Sequence, residues 1–259
     1  TSYISTLIIG FMSGLTNGFS IITARHYGAG DSVKMRRSVA GTIIIGLVVS
    51  AILTVSSIFF IKPFMHLLNT PADIFDEAYS YISVTLFFMV TAMLYNMSAG
   101  VLRAVGDSIT PLVFLIISSA MNVGLDILFI AKFGMGVSGA AYATIISQAV
   151  SFILCCIYIV IRFPYLIPKP EEFKITWEEV WELFSMGLSL ALMFSLVEVG
   201  SLILQRAINN FGTQTIAAHT AARKISSILM LPYTAFGSAC APYCSQNIGA
   251  GRPDRAGKG

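Results

Sequence analysis

Charge is scarce in this 259-residue sequence: only 11% of residues are Asp, Glu, Lys or Arg, where a soluble globular domain carries about 25%. Histidine and cysteine are scarce too, with three and four copies. No HExxH pair occurs. Cys155 and Cys156 lie inside an apolar run, and Cys240 and Cys244 stand one turn apart with no His or acid in that turn. This pattern reads as buried, inert thiols and gives no resident metal centre. The first residues lack the basic start and cleavage pattern of a signal peptide. They also lack an initiator Met, so the sequence is expected to be a piece of something longer.

Hydrophobic residues make up 56% of the chain, and their distribution sets the class. Seven runs are nearly free of charge: 1–24, 38–61, 78–102, 108–131 (broken by Asp126), 133–161, 183–205 (broken by Glu198) and 225–251. A membrane-spanning helix needs about 20 mostly apolar residues. The alternative, buried helices of a soluble protein, fails because such a domain has too little interior to hide seven helices that are apolar all round. The expectation is an all-α, polytopic membrane bundle of seven transmembrane helices. Eleven Lys and Arg fall on one side of these runs and five on the other, so the richer side is cytoplasmic. The basic excess (net +3) is therefore a topology signal and predicts no nucleic-acid partner. The stretch "RFPYLIPKPEEFKITWEEVWE", 162–182, is the longest polar segment. It reads as a stiff Pro-containing cytoplasmic linker ending in an interfacial Trp177/Trp181 pair, and separates a unit at 1–162 from one at 183–259.

"FGMGVSGAA", 133–141, contains Gly134-x-Gly136-x-x-Gly139, the letter pattern of a dinucleotide loop. That loop follows a strand and wants an acid about 20 residues on. Here a 24-residue apolar run precedes it, and the first acid, Glu171, lies 32 residues past Gly139. The glycines fit a tight turn followed by close helix packing, and no cofactor is expected. Gly10, Gly14 and Gly18 make a flat stripe for another helix. Pro232 and Pro242 are expected to bend the last run.

Two acids stand where an ionised group costs from about 3 kcal/mol upward. Glu198 falls near mid-membrane, slightly toward the outside, with no Lys or Arg in any run to neutralise it. Its partner is a proton, a metal cation, a cationic ligand or a group outside this sequence; a protonated Glu bonded to a neighbouring helix is the structural alternative. Asp126 is shallower. It stands four residues after Asn122, so the two share a helix face. For Asp126 a role in pinning a helix end weighs evenly against function.

The chain resembles the multidrug and toxic compound extrusion (MATE) transporters at "TARHYGAGDSVKMRRSV" (23–39), "LRAVGDSITPL" (102–112), "NVGLDILFIAKFGMGVSGAAYATIISQ" (122–148) and "AAHTAARKISSILMLPYTAFGSACAPYCSQNIGAGRPDRA" (217–256). The resemblance implies a twelve-helix protein of two six-helix lobes, of which this chain covers the second to eighth helices. Residues 1–162 would hold most of the N-terminal lobe, 163–182 the inter-lobe linker and 183–259 the start of the C-terminal lobe. Gly28-Ala29-Gly30 and Gly249-Ala250-Gly251, 221 residues apart, echo the repeat. The resemblance also implies a multi-pass protein of the inner or plasma membrane that is not an enzyme. It implies export of cationic, amphipathic drugs or toxins driven by inward H+ or Na+. Glu198 matches an acid of the family's seventh helix, and Asn122 with Asp126 a recurrent Asn-x-x-x-Asp of the fifth. These three are the expected sites for coupling cation or substrate, with Na+ as a transient visitor at Glu198 or Asp126. Expected partners are small organic cations, the lipid bilayer and the remainder of the polypeptide. Rival readings are a lipid-linked saccharide flippase, which calls for membrane-embedded Arg or Lys; a retinal-type receptor, which needs a Lys within 225–251; and a membrane-embedded enzyme, for which no nucleophile-and-base motif is present.

Overall fold

A computed structural model describes residues 2–67, 75, 79, 89–208 and 211–257. Among them there are helices and turns but no strand. The helices are α1 (Ser2–Gly28), α2 (Ser32–Leu67), α3 (Met89–Ala104), α4 (Ile109–Asp126), α5 (Gly136–Arg162), α6 (Trp177–Ile208), α7 (Thr213–Gly249) and the single turn α8 (Pro253–Ala256). A π-helical turn, Ile127–Lys132, continues α4. Five segments are long and apolar enough to cross a membrane: Leu7–Gly28, Ser32–Ser56, Ile109–Lys132, Ser138–Arg162 and Trp177–Ile208. The run at 78–102 lies partly outside the described residues. The seventh run is the later part of α7, whose first half carries His219, Arg223 and Lys224. Sequence patterning had put these residues on a connection; the helix runs through them, and only residues 209–212 separate it from α6.

The bundle is organised around α1, which touches α2, α3, α6 and α7. Met12, Leu15, Phe19 and Ile22 of α1 are buried against Met93 of α3 and Leu183 and Ala191 of α6. The glycine stripe allows this approach. A Cβ built at Gly14 would fall 2.6 Å from the Cα of Ala191, and one at Gly18 would meet the Gly187 backbone. At the basic end the two Gly-Ala-Gly copies meet: a Cβ on Gly28 would strike the Gln246 carbonyl, and one on Gly249 the Arg25 carbonyl. The Ser245 hydroxyl donates to the Ile21 carbonyl at 2.6 Å, and the Gln246 amide donates to that of Ala104 at 2.7 Å. No side chain larger than hydrogen fits at such crossings.

The linker differs from the stiff spacer expected. It folds into two 3-10 turns, Pro164–Leu166 and Pro170–Phe173. Leu166, 1% exposed, plugs an apolar pocket of Met35, Val39 and Val101. The Arg36 Nε donates to both Glu172 carboxylate oxygens at 2.8 Å. Arg37 pairs with Glu179 at 2.9 Å and donates to the Lys174 carbonyl at 2.7 Å, and Arg25 pairs with Glu182. Thr176 and Glu179 cap the start of α6 reciprocally, the Glu179 carboxylate accepting from the Thr176 N–H at 2.8 Å and the Thr176 hydroxyl from the Glu179 N–H at 3.4 Å, a capping box. Trp177 and Trp181 therefore belong to α6 itself. Basic residues at the ends of α1 and α2 thus strap the linker down.

The Arg36 guanidinium holds the Glu172 carboxyl below its ordinary value against the opposing pull of burial; the Lys169 N–H assists. A carboxyl lowered on folding stabilises above its ordinary value, and that contribution is lost as pH falls through the lowered value. Strap docking is therefore flat between about pH 6 and 8. Glu172→Gln, which leaves Arg36 without its counter-charge at a cost of about 2 kcal/mol, is expected to speed tryptic cleavage at Lys174 in inside-out vesicles at neutral pH. Cleavage at the wild-type rate would contradict the strap.

Candidate cation and substrate sites

The first site lies where α4 meets α5. Small polar side chains bridge the two helices. The Ser118 hydroxyl donates to the Ser147 carbonyl, and the Ser151 hydroxyl donates to that of Phe114 at 3.3 Å. Further along the same seam the Asn122 Nδ2 donates to the Thr144 Oγ1 at 3.5 Å, and that hydroxyl donates to the Ala140 carbonyl at 3.0 Å. Asp126 follows one turn beyond Asn122. Its Oδ1 is enclosed and has no hydrogen-bond partner. An enclosed carboxylate oxygen with no hydrogen-bond partner is costly. Immediately after it the helix widens: the Phe133 N–H reaches the Leu128 carbonyl, five residues back, at 3.1 Å. Single π turns of this kind recur at functional sites. Thr144 was not singled out by sequence; its only sign there was a hydroxyl in an apolar run, and the α4–α5 hairpin brings it opposite Asn122.

The second site lies where α1 and α6 part. These helices are closest at Gly18/Gly187 and Gly14/Ala191. One step outward, the position of a Cβ on Gly10 is 3.9 Å from the Cγ of Glu198, so Glu198 is the first large side chain above the point of closest approach. Ser195, Glu198 and Ser201 are half-buried, while Leu196, Val197, Val199 and Gly200 between them are exposed. The glutamate is thus on the face turned to α1. No ion pair joins it to any described residue. It lies farther from the basic end than patterning implied. Because α6 begins at Trp177 and not at the edge of the charge-free run, Glu198 lies about 31 Å along the helix at 1.5 Å per residue. Gly10 is about 27 Å above Gly28 on α1 by the same measure. Both place the carboxylate in the outer third of the span.

The two carboxylates are not brought together, since α4 and α6 make no contact among the described residues. A cation that patterning missed lies on a third wall. Arg103 falls inside α3, one residue past the charge-free run. Its Nη2 donates to the Asn17 Oδ1 at 3.3 Å and lies 3.9 Å from the Cβ position of Gly100. The side chain therefore turns back along its helix toward α1 instead of away from the bundle.

A protein-family model described as MatE matches residues 1–128 and 189–258. Among named relatives, Probable multidrug resistance protein YpnP of Bacillus subtilis is 29% identical over 257 residues, 98% of this chain and 57% of its own length. Multidrug export protein MepA of Staphylococcus saprophyticus is 26% identical, with 82% of this chain and 48% of its own length covered. A protein of Shewanella oneidensis named FAD transporter is 25% identical, with 97% and 57% covered. The chain thus spans about half the length of the relatives it matches. A solved MOP-superfamily transporter from Pyrococcus furiosus, described as having a binding pocket of reverse polarity, superposes with a TM-score of 0.90 at 23% identity over 98% of this chain and 57% of its own. An outward-facing multidrug resistance transporter superposes at 0.89 and 22% identity. At these identities the two structures show the fold.

If the end of the α1–α6 seam that holds Glu198 faces outward, as the positive-inside pattern predicts, Glu198→Cys in a cysteine-free, full-length background reacts with a membrane-impermeant maleimide applied outside intact cells. Phe19→Cys, buried in the core, stays unlabelled. Labelling of position 198 from the cytoplasmic face alone would contradict that geometry.

Proposed function

The chain belongs to the MatE family of multi-pass plasma-membrane transporters, and from that premise we propose that the full-length protein is an antiporter. It exports cationic, amphipathic compounds in exchange for inward H+ or Na+. The observation that carries this reading is a pair of carboxylates, Asp126 and Glu198, set in separate membrane-embedded places with no cationic partner among the described residues. Each group is in a position to take a positive charge and give it up again. At Asp126, a proton on the enclosed Oδ1 removes the desolvation cost of the ionised form. A Na+ ion would draw on the oxygens of Asp126, Asn122 and Thr144, hard donors of the kind such cations prefer. At Glu198, an organic cation entering the gap above Gly14 meets an unpaired negative charge where the surrounding dielectric is low.

Coupling follows from competition. A cation that neutralises a carboxylate weakens its hold on a cationic cargo, and the conformation that admits one differs from the conformation that releases the other. In this conformation the basic ends of α1 and α7 are locked by the Gly28–Gln246 and Gly249–Arg25 crossings. From Lys224 to Cys240, α7 is exposed throughout, and it makes little contact with α6. An antiporter of this kind releases cargo and takes up its coupling ion from a conformation closed at the cytoplasmic side and open outside, and the locked ends of α1 and α7 support that reading.

A second reading concerns the sign of the cargo. Arg103 is a guanidinium turned into the bundle with Asn17 as its acceptor, and one relative is named a transporter of an anionic dinucleotide. An anionic substrate would use Arg103 as its anchor and leave Glu198 unfilled.

The two readings separate in proteoliposomes of full-length protein, with Na+ and pH gradients imposed independently. Asp126→Asn and Glu198→Gln are expected each to lower organic-cation efflux at least tenfold at equal protein, while Arg103→Gln leaves it within twofold. Wild-type cation efflux by both acid variants, or anion efflux abolished by Arg103→Gln alone, would overturn the cationic reading.

A further inference from the structure

We infer that the groove between α2 and α6 holds one acyl chain of a phospholipid with a zwitterionic headgroup that ends in a primary ammonium, its phosphate on Lys174 and its ammonium on Glu178. The two helices meet where Leu183 packs over Gly41: a Cβ on that glycine would fall 2.5 Å from the Leu183 Cδ1. Beside this contact they leave an open groove of about 350 Å³. Ile45, Val48 and Ile52 of α2 form one wall and Trp177, Trp181 and Phe184 of α6 the other, and every lining side chain is apolar. Val48 and Ile52 are more than half exposed, at 52% and 58%. Both walls belong to segments long and apolar enough to cross a membrane. Water gains no hydrogen bond from such a lining, so hydrocarbon is the occupant that fits. From Ile45 to Ile52 the groove runs about 10 Å along α2, room for the upper part of one chain.

The mouth of the groove selects the headgroup. Trp177 and Trp181 stand there, and indole rings favour the boundary between hydrocarbon and headgroups. Most charges at this basic end are already matched: Arg25 with Glu182, Lys34 with Asp31, Arg36 with Glu172 and Arg37 with Glu179. Lys174 and Glu178 are exposed and make no ion pair with a described residue. The Arg37 guanidinium donates to the Lys174 carbonyl at 2.7 Å, which holds residue 174 at the α2 side of the mouth. Glu178 follows Trp177 and stands three residues before Trp181, so it lies on the flank of α6 beside the Trp181 ring. A free cation and a free anion therefore frame Trp177. A phosphate followed by an ammonium complements both. A headgroup of net negative charge gains at Lys174 and is repelled at Glu178. A primary ammonium adds charge-assisted N–H donors to the Glu178 carboxylate, which a quaternary one lacks.

The test uses full-length protein in phosphatidylcholine bilayers, with every tryptophan other than Trp177 and Trp181 replaced by Phe. Bromine on an acyl chain quenches tryptophan fluorescence on contact. Brominated phosphatidylethanolamine is expected to half-quench this pair at a mole fraction at least threefold lower than brominated phosphatidylglycerol. Lys174→Gln with Glu178→Gln, both at exposed positions, is expected to bring the two lipids within 1.5-fold of each other at unchanged Tm. Val48→Phe with Ile52→Phe, which fills the groove and leaves the headgroup residues in place, is expected to cost at least half of the phosphatidylethanolamine preference. Equal quenching by the two lipids in the wild-type pair, or stronger quenching by phosphatidylglycerol, is the behaviour of an ordinary lipid annulus and overturns the inference. Quenching by neither lipid overturns it too, since a protein segment would then cover the groove. A preference that survives the Lys174 and Glu178 changes, or the groove-filling pair, also overturns it. The inference rests on the chain spanning the membrane and not on the cargo or its coupling ion, so this readout stands or falls apart from the antiport reading.

Discussion

An ionised carboxylate has no stable place in hydrocarbon unless water, a proton or a counter-charge reaches it. In most membrane bundles that constraint is met by a fixed basic partner. Here Arg25, Arg36 and Arg37 are committed to Glu182, Glu172 and Glu179 at the cytoplasmic edge. The charges of that edge close on one another, and the two acids deeper in the spans have no such partner among the described residues. The separation has a functional consequence. A permanently paired acid is structural; the proposed antiport needs acids that are free to take a cation and release it.

The same economy of side chains shapes the helices around these acids. The α1 stripe brings two helices to backbone contact at Gly14 and Gly18 and lets them part at Gly10. Glycine is required at Gly14 and Gly18, because backbone contact needs an absent Cβ. The strap at 163–176 adds a second tie, fastening the start of α6 to α2 through Arg36, Arg37 and the buried Leu166. The basic end of the bundle is thus held by packing that is insensitive to salt and by ion pairs that are not.

Much of this was legible in the letters. Runs without charge became helices because an apolar backbone in lipid must satisfy its own hydrogen bonds. The small-residue stripe became a seam, and the Gly-rich triplet at 134–139 became a turn between α4 and α5, with Gly134 and Gly136 at positive φ. Helix lengths were underread, since a helix continues through charged residues at its ends, where long side chains reach polar surroundings. That is why α6 starts at Trp177, why Glu198 sits nearer the outside than its run implied, and why Arg223 lies within α7. The capping box of Thr176 and Glu179 spelled the start of α6 in "TWEE" and was the signal that would have corrected this. Thr144 and Arg103 were out of reach for a different reason. Their roles come from which helices lie side by side, and no local pattern carries that.

If unpaired acids in the spans are the working parts, then an arriving organic cation must displace what neutralises them. Purified full-length protein in lightly buffered detergent solution, mixed with ethidium, provides the most direct measurement. The account predicts release of H+ or Na+ on binding, lost in Glu198→Gln and Asp126→Asn together. Ethidium binding with no cation released, or release unchanged in the double variant, would contradict it.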